Sequence, residues 1–313
     1  MKRSYAVAAT FVSFLLCGSV IALSAGETEP AKRAFSLVIR GGAGSLGIGD
    51  LNTTLASIDA AYDSGRDVNP NYTFGHVREV SGRFKDWELE VRWTVWKGLS
   101  VGAALSGPVH LRGYGNISYM YTWTQSYTIE SEVRMASPIK LNLYYSIPVH
   151  SKVNLILNGG AGLYHARMSQ NYDWQRRHHD LTEEGNYDVG GNYHFDVSGR
   201  AVGCHFGVAL EYKVNDRFSM MAEGQWTFAK IKSLKGSCEY ASVTSYVYGG
   251  GDIISSESYS YEGDLYHYIN TYGYETLGVN SDPDNLAEMS EVRKATLDLG
   301  GLTVKIGLKI GLF

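Results

Sequence analysis

The last twelve residues keep a strict two-residue beat. Leu302, Val304, Ile306, Leu308, Ile310 and Leu312 fall on one side, and Thr303, Lys305, Gly307, Lys309 and Gly311 on the other. Successive side chains of an extended chain point to opposite faces, so this beat specifies a strand with one apolar and one polar face. A helix would scatter the same lysines around its circumference. The rest of the composition suits sheet: 36 Gly and 23 Tyr supply turns and strand-forming rings, while Pro, which breaks strand ladders, numbers only 6.

The beat recurs along the chain. Trp87, Leu89, Val91, Trp93 and Val95 alternate with Glu88, Glu90, Arg92 and Thr94. Leu99–Ser106, Ile139–Tyr145, Val153–Asn158, Val202–Val214 and Phe218–Phe228 repeat it. With the segment Phe35–Ile48 these make eight strands. The connections alternate as well. Three are tight, around Trp96-Lys97-Gly98, His150-Ser151-Lys152 and Asn215-Asp216. Four are long, through 50–84, 113–134, 165–199 and 231–296. Strands running up and down then place every tight turn at one end and every long connection at the other, the asymmetry of outer-membrane barrels. Trp93, Trp96, Tyr144, Tyr145, Tyr212, Phe218 and Phe313 cluster beside the tight turns, where an interfacial aromatic girdle belongs. Paired about the turns, Glu88, Glu90 and Arg92 face Ser106, Ala104 and Gly102, and Glu211 and Glu223 face Ser219 and Gly207. Large polar residues opposite small ones suit a narrow, filled interior. Inside stand the acids Glu88, Glu90, Glu211 and Glu223 with the bases Arg92, Lys140, Lys305 and Lys309. They divide into a lower layer (Arg92, Glu211, Lys309) and a higher one, a neutral plug without an aqueous pore.

The first 25 residues read differently. Lys2 and Arg3 precede an apolar run, and Ala22-Leu23-Ser24-Ala25 offers small residues for cleavage, the layout of a secretory signal peptide over 1–25 and a mature domain over 26–313. Removal takes the basic count from 28 to 26 against 32 acids, a charge of −6. Nucleic acid is therefore not an expected partner. Of the three cysteines only Cys204 and Cys238 remain, and spacing does not say whether they pair.

Lys305-x-Gly307-x-x-Ile310-x-Leu312, followed by Phe313, resembles the C-terminal signal read by the barrel assembly machinery. In layout the mature chain is similar to small eight-stranded outer-membrane barrels of the outer-membrane protein A, X and W types, with longer loops. The resemblance implies an all-β, up-and-down transmembrane barrel in a Gram-negative-type outer membrane. Its implied partners are membrane lipid and lipopolysaccharide, the assembly machinery during insertion, and an extracellular ligand at the loops.

Candidate chemistry is thin. The connection near 171–196 holds Asp173, His178, His179, Asp180, His194 and Asp196, but adjacent histidines on a strand diverge, and no nucleophilic serine turn stands nearby. His194, Asp196 and His205 are the remaining trace of a His–Asp hydrolase couple. Gly41-Gly42-Ala43-Gly44, with Gly47 and Gly49, lacks the Gly-Lys-Ser/Thr ending of a phosphate loop and reads as strand bends or bulges. Leu51, Leu55, Ile58 and Tyr62 recur at helical spacing behind Asn52 or Thr53 as cap, predicting a short helix on the barrel rim. The last connection carries Tyr240, Tyr246, Tyr248, Tyr259, Tyr261, Tyr266, Tyr268, Tyr272 and Tyr274, either an extended hairpin or an adaptable binding surface. A strand pair inserted there would raise the count to ten. The expectation is a plugged eight-stranded barrel with a structural or surface-binding role, no enzyme activity, no cofactor and no catalytic or metal-ligating residue. The alternatives are a passage for small hydrophobic molecules and a lipid- or peptide-hydrolysing enzyme.

Overall fold

A computed structural model describes residues 35–68, 73–120, 123–178, 186–248 and 251–312. Residues 1–25, read above as a signal peptide, lie outside the described residues, as do His179, Asp180 and Phe313. In chain order the elements are β1 (Phe35–Ser45), α1 (Asp50–Val68), β2 (Thr73–Val77), β3 (Arg83–Trp96), β4 (Leu99–Ser106), β5 (Val109–Met120), β6 (Trp123–Met135), β7 (Ile139–His150) and β8 (Val153–His178). There follow β9 (Asn186–Lys213), β10 (Phe218–Phe228), β11 (Lys230–Ile231), β12 (Lys235–Tyr248), β13 (Gly251–Ile269), β14 (Glu275–Asn280), β15 (Ser290–Lys294), β16 (Leu297–Asp298) and β17 (Gly301–Gly311).

Eight of these pair antiparallel in a closed ring, β1-β3-β4-β7-β8-β9-β10-β17 and back to β1. They are the eight strands of the alternation. Closure satisfies every backbone group within the ring, a condition for a sheet that crosses lipid. Outside the ring, Ile39, Leu141, Val202, Leu210, Val304 and Ile306 are exposed; inside it, Arg40, Glu88, Glu90 and Lys305 are buried. On β9 the apolar outer face runs from Tyr212 to Val202, matching the ~9–11 residues with which a tilted strand crosses a bilayer. The three tight turns gather at one end; Gly98 takes φ 76° in the first of them, where a side chain would be strained.

The long connections are not loops, and the strand count exceeds eight: seventeen strands are present among the described residues. β8 and β9 pair continuously from Val153↔Tyr212 to His178↔Tyr187, far above the apolar band. Hairpin β5–β6 adds to the upper half of β8, and hairpin β12–β13 to the upper half of β9. Flanked by β2 and β14, they form a second tier that strand pairing leaves open between those two edges. The ten-stranded alternative is also not found, since the inserted hairpins join the upper tier and not the ring. At the junction the alternation keeps its phase and reverses its meaning. Along β8 the inward positions change from Asn154 and Asn158 to Tyr164, Ala166 and Met168, while the outward ones change from Leu155, Leu157 and Leu163 to His165 and Arg167. Below, the barrel is apolar outside; above, it is apolar inside, like a soluble domain.

α1 is the predicted helix, and it spans the open side of the upper tier against both β2 and β14. Leu51 and Leu55 are buried in the upper core, with Ile58 and Tyr62 packed on it. The predicted Asn52 cap is corrected. Its amide instead pairs with Val80, donating to the carbonyl at 3.0 Å and accepting from the N–H at 2.9 Å, as a strand backbone would. Asp59 accepts from Val77 N at 2.8 Å and Ser57 from Glu275 N at 3.1 Å, so helix side chains satisfy both sheet edges. The glycine run of β1 contains no bulge. It pairs in regular register with β3 and β17, and a Cβ on Gly42 would come 1.9 Å from the Val304 carbonyl. Close approach of neighbouring groups is what excludes side chains at Gly42 and Gly44, whereas Gly41 has open space beside it.

Candidate functional site

The interior of the ring is filled by charge. Arg40, on the inward face of β1, bonds to Glu90 and Glu223 and approaches Glu88 at 2.6 Å, with none of its side chain exposed. Glu88, on β3, also receives Lys140 at 2.9 Å and Lys305 at 2.7 Å; Lys305 reaches Asp86 at 3.0 Å. Arg92 Nε donates to Glu90 at 3.0 Å, and its guanidinium lies 3.6 Å from the centroid of the Tyr144 ring. The Tyr144 hydroxyl donates to Glu90 at 2.7 Å. Asn158 supports Glu223 at 3.0 Å. Nearer the tight turns, Lys309 meets Glu211 at 2.9 Å, backed by Asn154 at 3.2 Å.

All eight sequence-predicted lumen residues are therefore inside and paired, and two more join them. Arg40 and Asp86 bring the count among the described residues to five acids against five bases, so the plug is neutral. The stated layering needs correction at Arg92, which turns upward to Glu90 and leaves Glu211 and Lys309 as an isolated lower pair. The first hairpin has the expected register, Glu88↔Ser106, Glu90↔Ala104 and Arg92↔Gly102. A Cβ on Gly102 would stand 2.3 Å from Glu90 Oε1, so the small residue makes room for the large one. The β9–β10 hairpin is displaced by two positions, with Glu223 opposite Ala209 and Met221 opposite Glu211. There Asn215 Oδ1 accepts from both Arg217 N and Phe218 N at 2.9 Å, which centres a longer turn on Asp216. Tyr144, expected in the aromatic girdle, is buried in the lumen; Trp96, Tyr212 and Phe218 are exposed as a girdle requires.

The residues considered for hydrolysis do not converge. Asp196 bonds to Arg167 on the outer wall. Asp173 bonds to Asn171 and Asn192. His205 is buried in the lumen, 2.6 Å from Asn142, and eleven residues of strand place it roughly 36 Å from His194. Cys204 faces outward and Cys238 inward; both are free. The Tyr-rich segment is a true hairpin, with Tyr240, Tyr259 and Tyr261 stacked at centroid separations of 4.7 and 5.8 Å. One cluster of metal-ligating type stands among the described residues and was missed by sequence reading: Asp59 and Asp63, one turn apart on α1, with His76 on β2, each offering an atom within 4.8 Å of the others. Their separation in sequence gives no spacing signal.

Above the band, ion pairs hold the outer wall and the helix. Partial burial raises the Glu132 carboxyl, but hydrogen bonds from Arg134, His110 and Arg112 outweigh it and hold the group at about 2. At Asp50 burial again pushes upward and is overcome by Arg293, whose guanidinium donates at 2.6 and 2.9 Å, and by Thr296 N at 2.7 Å. The Asp50 carboxyl lies below its ordinary value for that reason.

A closed ring with a lipid-facing exterior, a charged interior and tight turns at one end is the construction of an outer-membrane β-barrel, and the chain is an outer-membrane protein of that class. Three solved structures are similar to this chain over most of their length. The outer membrane protein OprG from Pseudomonas aeruginosa is 12% identical, with 90% of this chain and 97% of that chain covered at a TM-score of 0.35. The outer membrane protease OmpT from Escherichia coli is 10% identical, with 92% and 100% covered at 0.34. A major outer membrane protein from Thermus thermophilus is 10% identical, with 89% and 99% covered at 0.29. Likenesses this loose carry no functional weight. No protein-family model matches the sequence, and no curated protein does.

Proposed function

We propose that the chain is a closed membrane anchor presenting a rigid surface domain, with a structural or surface-binding role and no hydrolytic activity. The observation that carries this reading is the lumen: Arg40 sits fully buried among three carboxylates, and the neutral cluster around it fills the ring. Breaking such a cluster to pass an ion would expose unpaired charges to a low-dielectric interior. Passage of small hydrophobic molecules is the weaker reading. At the junction of plug and upper core, a cavity of about 30 Å³ lies beside Phe84, Pro138, Tyr164 and Leu299, room for one water. The head offers exposed apolar side chains on the β12–β13 hairpin and the turn after it, Val243, Ile254, Tyr259 and Tyr272 among them.

Refolded protein tests this directly. It should migrate differently on a gel before and after boiling in detergent, give no unitary conductance in planar bilayers, and leave phospholipid and peptide substrates intact. Steady ohmic channels would overturn the closed-anchor reading, and turnover of either substrate would overturn the non-enzymatic one.

A further inference from the structure

The hairpin β12–β13 closes one side of the upper tier with an edge to which no strand among the described residues pairs. β12 takes β13 from Gly251 to Asp264, and β14 takes its other side only from Asp264 to Ile269. Leu265 N donates to Leu234 O at 2.8 Å, so the odd-numbered residues of β13 turn their backbone groups toward the β12 side. By strand alternation Ile254, Ser256, Ser258, Ser260 and Glu262 turn theirs to the open side. From Ile254 to Glu262 this edge is about 30 Å long, and residues 254–260 are exposed on both faces. Natural sheets blunt such an edge with proline, a bulge or a cover. Residues 236–263 contain no proline, and the β12–β13 register runs without a shift. What they carry is charge of one sign: Glu239, Asp252, Glu257 and Glu262, with no Lys, Arg or His.

We infer that this edge takes up a basic, extended segment of a partner protein as an added strand of the upper tier. The inference rests on the surface-binding reading and names the partner's chemistry. Three features select that occupant. Backbone groups along the free side offer main-chain hydrogen bonds to an extended chain, and the serines there leave room for it to approach. The acids guard the edge with one sign. Two copies of the hairpin would bring four acids against four, so self-pairing is opposed, whereas Lys or Arg on an incoming strand would pair with Glu257 and Glu262. Finally, the inner face ends on an aromatic row, Tyr193↔Tyr240↔Tyr259, in which Tyr240 and Tyr259 stack at 4.7 Å and Tyr259 stays half exposed. An added strand sets its own residue beside Tyr259, and an aromatic or β-branched one continues the row. The partner segment is therefore free of proline and rich in cations and in aromatic or β-branched residues.

The test uses the full chain refolded into nanodiscs, with folding scored by the gel shift on boiling. A fluorescein-labelled peptide alternating Lys with Tyr and Val is titrated by anisotropy. Beside it run a counterpart with Glu for Lys, and the Lys peptide N-methylated throughout, which keeps its charge and loses every backbone donor. The expected result is binding of the Lys peptide, at least tenfold weaker for both counterparts. Ser258→Pro removes one N–H from the free side and none from the β12 ladder, so it should weaken binding at least tenfold with the gel shift intact. E257Q/E262Q should weaken it at least threefold. No binding of the Lys peptide overturns the inference, as does equal binding of the N-methylated or the acidic peptide, which needs no variant to fold. A dimer in native mass spectrometry that Ser258→Pro dissolves overturns it in favour of a second copy. Each of these leaves the anchor-and-head reading standing. Steady channels or substrate turnover by the same preparation would refute that reading instead, so the failures are told apart.

Discussion

Replacing Arg40 by Met keeps most of the side-chain volume and removes the charge at the centre of the plug. Arg40 touches Glu88, Glu90 and Glu223. The first two retain other cations: Lys140 and Lys305 for Glu88, and Arg92 for Glu90. Glu223 keeps the Asn158 amide as its hydrogen-bond donor. Five acids would then face four bases, with one negative charge stranded in a closed interior. Removing one partner of a buried pair typically costs ~3–5 kcal/mol, and that is the expected loss for Arg40→Met. Glu223→Gln should cost less alone, because Asn158 can still bond to the amide. In R40M/E223Q the stranded charge disappears, so the double variant should recover at least ~1–2 kcal/mol relative to the sum of the single changes. Urea unfolding in lipid vesicles, followed by tryptophan fluorescence in both directions, gives the four free energies of the cycle. If Arg40→Met costs under ~1 kcal/mol, or the two changes simply add, the lumen is wet enough to screen the charges and the plug does not exist.

Glu211→Leu should destabilise less than Glu223→Leu in the same assay, since its partner Lys309 is a quarter exposed whereas Arg40 is fully enclosed; equal costs would contradict the separate lower pair. The Asp50 carboxyl is held below its ordinary value of 3.8, so its contribution is fully present above about pH 4 and is lost as pH falls through the lower folded value. Hydrogen exchange over α1 should accelerate across that acid range in the native chain, whereas Asp50→Asn should show fast exchange already at pH 7, and a flat native profile would remove Asp50 as the staple. Cys204 should react in liposomes with an apolar maleimide and resist a membrane-impermeant one, while Cys238 should resist both until unfolding; labelling of Cys238 by the impermeant reagent would show that the upper core is open. Gly307→Leu would place a Cβ 2.6 Å from Arg40 Cγ, so precursor should accumulate in the periplasm. Normal membrane levels of this variant would show that β17 has been misread.

Much of the ring could be read from sequence because lipid imposes one rule on every strand that crosses it: apolar outward. Glu88, Glu90 and Lys305 stand out as inward residues for that reason. Arg40 does not, because Leu37-Val38-Ile39 is apolar at three successive positions and hides the parity of β1. Val38 points inward all the same, into a small cluster with Tyr144, Ile156, Ala209 and Met221. The upper tier was illegible for a related reason. β9 carries its parity straight across Val202 and Arg200, but the meaning of each face reverses, so a reader following the apolar side outward sees the strand end there. Asp59, Asp63 and His76 were beyond reach because neither the helical spacing of α1 nor the five residues of β2 tell that the two elements meet.

The helix α1 follows the first ring strand, whereas the groups that fasten its start, Arg293 and Thr296, stand just before β16 and the last ring strand β17. Both tiers are therefore sealed along a single seam between the opening and closing stretches of the chain, 243 residues apart at the Asp50–Arg293 pair. Loop closure of that span is an entropic barrier that local pairing cannot lower beforehand. Hairpins β5–β6 and β12–β13 can form early, yet neither tier can finish until β17 finds β1. Folding of the surface domain is thus tied to completion of the membrane ring. A molecule caught half-inserted would still hold the upper apolar core ajar, and such exposed sheet edges and apolar surface are what periplasmic quality control can recognise.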